Sequence, residues 1–330
     1  MRKALFEKSD AGQWTPRPVH IPFVPYEEYT KILEKGFKFK RKDGIVEVKL
    51  TTDGGPMSWD GLHHRGIWQM CCYVGQDRDN EIVILGGEGD QFTASITGSD
   101  GKVTSKEEAK ANGGQAKDES AGFVDLRPLY EWCYYDGCNE IEGLVNDLEQ
   151  PTIGVMNGPG FHTDIVLFCD ITLAAEHAWT SDMHFQINMI PGDGIQIAWR
   201  ELLGRKRFAY AEYTGQILTA KMMLDYGMVN EIQPVEKIYD RAWEIAELMM
   251  ASASSATRRV TAQVLRGPWK EDLAKELRAN FGTEMWITAA EHSPHDNMFW
   301  ICKTIEAEAA MADEKKGIVT YPKLGEISLD

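Results

Sequence analysis

The sequence predicts an α/β or α+β chain in which strands build the first half and helices the second. Two observations carry this. Short runs of β-branched and apolar residues, bounded by Gly, Asp and Pro, recur between Phe37 and Ala175. From Ile195 onward, apolar residues instead fall at helical spacing between caps and glycine stops.

The elements follow in order. Residues 11–30 hold Pro16, Pro18, Pro22 and Pro25, a density that forbids a helix and favours an extended arm; residues 1–35 are read as that arm. Phe37–Lys42 and Ile45–Leu50 read as strands joined at the hairpin signal Asp43-Gly44. A helix-like stretch runs from Trp59 to Tyr73, and a short apolar strand from Glu81 to Leu85 ends at Gly86-Gly87. Residues 98–122 are polar and glycine-rich, which reads as a flexible surface insertion or a mobile lid. Asp125 to Leu148 predicts an amphipathic helix, Pro151–Met156 and Asp170–Ala175 strands, and Ile195–Leu203 a helix ended by Gly204. Thr219 caps a helix to Gly227, and further helices are expected at about 236–251, 254–266 and 270–290. Residues 36–235 thus form the core, and 236–330 a helical region with a tail.

Bulk properties exclude several classes. With 330 residues, 43% of them hydrophobic, the chain can bury a large core. A formal charge of -16 argues against nucleic acid and anionic membrane as partners, since phosphate neutralisation needs an excess of Lys and Arg. No apolar run reaches the ~20 residues that span a bilayer, and no apolar stretch follows the basic first residues, so a cytoplasmic protein is expected. The six cysteines form no C-x-x-C pair, so neither a disulfide framework nor a zinc site is suggested.

Chemistry is best sought among the histidines. His184 precedes Asp193 by nine residues, and the turn Gly192-Asp193-Gly194 can fold back to the ring. An Asp that accepts one ring N–H leaves the other nitrogen as a base, although Asp193 also suits a helix cap and His184 a satisfied buried histidine. His162 follows a strand, where α/β sites collect, but also reads as a plain loop histidine. Glu284 borders the apolar stripe Ala274, Leu277, Phe281 and Thr288, as a paired residue or a site acid. His63-His64 point about 100° apart and Pro294 interrupts His292-x-x-His295, so no metal is expected at either.

Residues 36 to 290 resemble the crotonase, or enoyl-CoA hydratase/isomerase, superfamily. The resemblance rests on Ile82–Leu85 with Phe92, Gln150-Pro-Thr-Ile-Gly-Val-Met-Asn-Gly158, Cys169–Ala175, Ile190-Pro-Gly-Asp-Gly194, Leu203-Gly204, Tyr213–Ala220 and Asp225–Asn230. It implies an α/β fold, a crotonase-type spiral of ββα units with a helical C-terminal section, and a homotrimer or dimer of trimers. Two departures matter. The glycine-rich turn that supplies an oxyanion N–H in ordinary members is here Pro159-Gly-Phe-His162, and His184 occupies a hydratase glutamate position.

This altered set is similar to the β-diketone hydrolase branch. That resemblance implies catalytic roles for His184, Asp193, His162 and Glu284, and a matching Trp59 and His64. Trp59, Phe92 and Phe161 are plausible apolar walls for an alicyclic substrate. The expected reaction is hydrolysis of a carbon–carbon bond in a cyclic 1,3-diketone, without metal or organic cofactor. His184, oriented by Asp193, deprotonates water; His162, with Glu284, serves the oxyanion or enolate. The rival readings are a CoA-dependent hydratase, isomerase or thioester hydrolase, and a non-catalytic oligomeric scaffold.

Overall fold

The structure is a computed structural model that describes residues 5–8, 14–17, 23–59, 61–96, 129–290, 296–319 and 321. The insertion at 98–122 therefore lies outside the described residues. Leu5–Lys8 (β1) pairs antiparallel with Trp14–Arg17 (β2). The arm then ends in a helix, Tyr26–Ile32, which corrects the expectation of an extended segment to residue 30. Pro25 sits in extended geometry at the N-cap, and its carbonyl accepts from the N–H groups of Glu28 and Tyr29. A proline is excluded from a helix interior but not from the position before the first turn.

Phe37–Lys42 (β3) and Ile45–Leu50 (β4) form the expected hairpin, with Asp43 and Gly44 both at positive φ (50° and 86°). Met57–Trp59 (β5) pairs with Thr93–Ile96 (β7), and the helix Gly61–Gln76 starts after β5. Ile82–Gly87 (β6), Thr152–Met156 (β8), Ile171–Ala175 (β9) and Glu231–Gln233 (β12) complete a six-stranded sheet in the order β12-β9-β8-β6-β4-β3. Every pairing in it beyond the β3–β4 hairpin is parallel. β6 and β8 are buried throughout, which explains their unbroken apolar runs.

Between β7 and β8 the described chain is a π-helical segment, Leu129–Tyr135, continuing as the α-helix Asp136–Asn146. Trp179–Thr180 (β10) pairs with Leu218–Thr219 (β11). Gly204 breaks the helix Ile195–Thr214 with φ 73°, ψ 158°, but the chain resumes helical geometry to Gly215 instead of stopping. Thr219 accepts from Met222 N–H and caps Ala220–Tyr226. The late helices are Ile238–Ser252, Ser255–Leu265, Gly267–Asp272 and Arg278–Ala290, followed by Asp296–Glu314, which the sequence reading left as tail.

Two clasps place the site. Asn157 follows β8; its Oδ1 accepts from Gly87 N–H at 3.0 Å and its amide donates to Gly89 O at 2.9 Å and Gln91 O at 3.0 Å. This ties together the loops leaving two adjacent parallel strands. Arg266, fully buried, donates to Asp170, Leu148 O and Gln150 O, locking the helical section onto the sheet. No helix among the described residues is long and apolar enough to cross a membrane.

Candidate active site

The turn after β8 is pressed onto its neighbours. A Cβ on Gly160 would lie 2.9 Å from both Phe92 Cβ and Thr93 N, so only glycine allows this approach. Gly160 N–H donates to Trp179 O at 3.1 Å, and Phe92 N–H to Pro159 O at 2.8 Å. The fixed turn carries His162 in the left-handed region at φ 51°, uncommon for a residue with a side chain. Its ring stacks on Trp59, with centroids 4.0 Å and planes 18° apart. Phe161 is buried, with its ring 5.3 Å from His162. Phe92 is wholly buried and braces the turn from beneath.

His184 follows β10 at the start of the 3-10 turn Phe185–Ile187. Its backbone N–H and its Nδ1–H both donate to Asp182 Oδ1, at 3.2 Å and 2.6 Å. The expectation that Asp193 orients this ring is therefore corrected: Asp182, two residues upstream, does so, because one tight turn brings both donors to the same oxygen. Asp193 lies on the opposite side. Its Oδ1 accepts from Ile195 N–H at 3.3 Å at the start of a helix, and its Oδ2 lies 3.7 Å from His184 Nε2 and 3.6 Å from His162 Nδ1. The helix cap expected at Asp193 is Gly194 instead, with Asp193 one residue before it.

Glu284 reaches the same point from the helix Arg278–Ala290. Its Oε2 accepts from Gly192 N–H at 3.0 Å, and its Oε1 lies 3.7 Å from His184 Nε2. Gly192 is required here, since a Cβ would come within 2.5 Å of Asn280 O. His64, on the helix Gly61–Gln76, is hydrogen-bonded through Nδ1 to Glu140 Oε2 at 2.7 Å and stands edge-on to Trp59 and His162. The structure therefore brings His184, Asp193, Glu284, His162, Trp59 and His64 together. It adds Asp182, Glu140 and Asp164, the last 4.0 Å from His162. Asp182 and Asp164 were readable as Asp-x-His and His-x-Asp pairs; Glu140 lies 76 residues from His64 and left no local signal.

The electrostatics are those of a buried, acid-rich cluster. Burial would depress the His184 imidazole, but the carboxylates of Asp182, Asp193 and Glu284 outweigh it and hold its pKa well above the usual value. Burial, aided by the two neighbouring histidines, pushes His162 well below it, which favours the neutral ring. Burial raises Glu284 to about 7 against the opposing pull of His184, and raises Asp193, Asp164 and Glu140. His184 Nε2, Asp193 Oδ2 and Glu284 Oε1 lie within 4.8 Å of one another. That spread suits a water held between three polar atoms. A divalent cation there would first have to displace the imidazole proton.

A family model described as enoyl-CoA hydratase/isomerase matches residues 103–294. Among curated proteins, the chain is 30% identical over 155 residues to an enoyl-CoA isomerase/hydratase of Mycosarcoma maydis, a match covering 44% of this chain and 56% of that one. It is 24% identical over 231 residues to a short-chain-enoyl-CoA hydratase of Clostridium acetobutylicum, covering 68% and 80%. The chain spans little more than half the length of the first curated relatives it matches, 56% and 52%. Among solved structures, a β-diketone hydrolase from the cyanobacterium Anabaena, bound to (S)-3-oxocyclohexyl acetic acid, superposes with a TM-score of 0.67 at 29% identity, covering 82% of this chain and 99% of that one. An enoyl-CoA hydratase of Mycobacterium avium subsp. paratuberculosis, at 18% identity and TM-score 0.62 over 82% and 96%, shares the crotonase fold.

Proposed function

The chain belongs to the enoyl-CoA hydratase/isomerase family, and we propose that within it this protein hydrolyses a carbon–carbon bond of a cyclic 1,3-diketone to a keto acid, without a cofactor. The observation that carries the reading is the convergence of His184, Asp193 and Glu284 on one point, facing a neutral His162 stacked on Trp59. Support comes from the Anabaena β-diketone hydrolase, whose bound molecule carries one ketone and one carboxylic acid, the pair such a cleavage leaves.

Water sits between His184 Nε2, Asp193 Oδ2 and Glu284 Oε1 and attacks one carbonyl carbon. The base is the cluster and not a lone imidazole: the ring and the two carboxylates compete for shared protons, and Glu284, at about 7, accepts the one that water releases. The neutral His162 ring offers an N–H hydrogen bond to the carbonyl oxygen as it becomes an oxyanion. Collapse breaks the bond to the carbon between the carbonyls, whose electron pair enters the second carbonyl as an enolate. The cluster returns a proton to that carbon, so diketone plus water gives a keto acid. Trp59 and Phe161 form the apolar side. The Gly160 N–H, in a turn where ordinary family members hold a thioester oxygen, is already donated to Trp179 O.

The test is incubation with a prochiral bicyclic 1,3-diketone in ¹⁸O-water, alongside crotonyl-CoA. One ¹⁸O in the new carboxylate and unequal enantiomers are expected. Hydration of crotonyl-CoA with no turnover of any diketone would replace this reading with the coenzyme A one that the curated relatives' names support.

A further inference from the structure

Behind His184 lies a second carboxyl group that the proposed reaction does not use. Asp182 is 2% exposed, and its Oδ1 is engaged twice by His184. Its Oδ2 is buried with no N–H or hydroxyl donor among the described residues. Glu212, on the helix Ile195–Thr214, is 6% exposed; neither of its carboxyl oxygens meets a well-aligned donor, and the backbone N–H of Phe185 is the donor that acts on it. The two carboxyl groups are neighbours, each acting on the other's ionisation. Two neighbouring buried anions would repel and leave Asp182 Oδ2 and the Glu212 oxygens poorly satisfied. One proton between them removes both defects.

We propose that Glu212 is a positioning residue, held as a neutral carboxylic acid whose O–H donates to Asp182 Oδ2, so that Glu212, Asp182 and His184 form one hydrogen-bonded relay behind the reacting cluster. The inference deepens the reading of this site as a hydrolase and rests on it for its kinetic consequence. The donor fixes Asp182 as the ionised member, and Asp182 in turn keeps the proton on His184 Nδ1. Local structure supports the geometry. Gln186 Nε2 donates to Glu212 O at 2.8 Å, and Ser181 Oγ donates to Gly215 O at 3.2 Å, so the segments carrying Asp182 and Glu212 are cross-tied. The charged groups that act on Glu212 are Asp182 and His184. The Lys303 ammonium is engaged with Gly215 O at 2.6 Å and Glu306 at 2.8 Å. Burial first, and then Asp182, raise the Glu212 carboxyl to about 9, in keeping with a proton retained at neutral pH.

The test compares Glu212→Gln, Glu212→Ala and wild type. Glutamine also donates from its amide but cannot ionise. Glu212→Gln is therefore expected to keep kcat within about threefold, while Glu212→Ala lowers kcat by about 10–100-fold with KM nearly unchanged, the loss of one hydrogen bond to a charged group. Two readouts do not need substrate. The infrared difference between wild type and Glu212→Gln at pH 7 should contain a protonated-carboxyl C=O band that bleaches as pH rises through about 9. Wild type should also lose stability relative to Glu212→Gln between about pH 4.5 and 9, because over that range the unfolded chain releases a proton that the folded one retains. Absence of the band, or a flat stability difference, overturns the relay whether or not a diketone is turned over. Loss of diketone turnover in every form with the band intact overturns the hydrolase reading and leaves the relay standing.

Discussion

Replacing Asp182 by Asn tests the site at the point where structure and sequence reading part. The change is nearly isosteric, and the amide oxygen can still accept from the His184 N–H and Nδ1–H that Oδ1 now receives at 3.2 Å and 2.6 Å. What disappears is the negative charge. A hydrogen bond to a charged group contributes ~1.5–3 kcal/mol and a neutral one about 1, so the difference corresponds to a drop in kcat of about tenfold. Asp182→Ala leaves a buried ring N–H with no acceptor, and the expected loss grows to about 100-fold.

Charge also sets the direction of the pH effect. Asp182 is the foremost of the carboxylates that lift His184, so the Asn variant releases the imidazole proton at lower pH than wild type. Glu284 then lacks the neighbouring imidazolium that holds it down to about 7 against burial, and its pKa rises. The acid limb of kcat should therefore move to higher pH. The assay pairs a pH–rate profile with ¹⁵N-histidine NMR, following Nδ1 and Nε2 of His184 through the titration. If His184 titrates as in wild type and the acid limb stays in place, Asp182 does not control this ring.

Other outcomes follow from the same contacts. Glu284→Gln should lower kcat by ~10²–10⁴-fold and remove the acid limb near 7; a retained limb in the pH–rate profile would assign it to another group. Arg266→Met leaves Asp170 without its buried partner, and urea unfolding should show a loss of about 3–5 kcal/mol. Light scattering should give three or six copies, with exposed Val260, Val264 and Leu265 as apolar surface to cover; a stable monomer at micromolar concentration would refute this.

What could be read in advance divides by the range of the interaction. The hairpin at Asp43-Gly44, the runs that became β6, β8 and β9, and the Thr219 cap are determined by neighbours within a few residues. The helix Tyr26–Ile32 was missed because proline counts describe an interval, whereas what decides is the position of Pro25 just before the first turn. The site shows the same division. His162, His184, Asp193 and Glu284 stand out as types near turns and stripe edges, but spacing of nine residues could not say which nitrogen Asp193 faces. Glu140 and Glu212 act across 76 and about 30 residues, and only tertiary packing brings them in.

The charges around the site favour protons shared among its carboxyl groups. Glu140, Asp164, Asp182, Asp193, Glu212 and Glu284 are all buried. No Lys or Arg forms a salt bridge with any of them among the described residues; the ion-pair partners of all but Glu212 are histidines. Each buried anion costs several kcal/mol when unpaired, and with His162 neutral, the imidazolium of His184 cannot balance so many. Burial moves every one of these carboxyl groups toward keeping its proton, and only at Asp182 do His184 and the hydrogen bonds to it outweigh burial and lower the pKa. In the proposed reaction, a site loaded in this way would accept a proton from water at one carboxylate and hold others on fixed atoms. An enolate formed beside it receives its proton from one face, and that is the physical basis for expecting a single enantiomer in excess from a prochiral diketone.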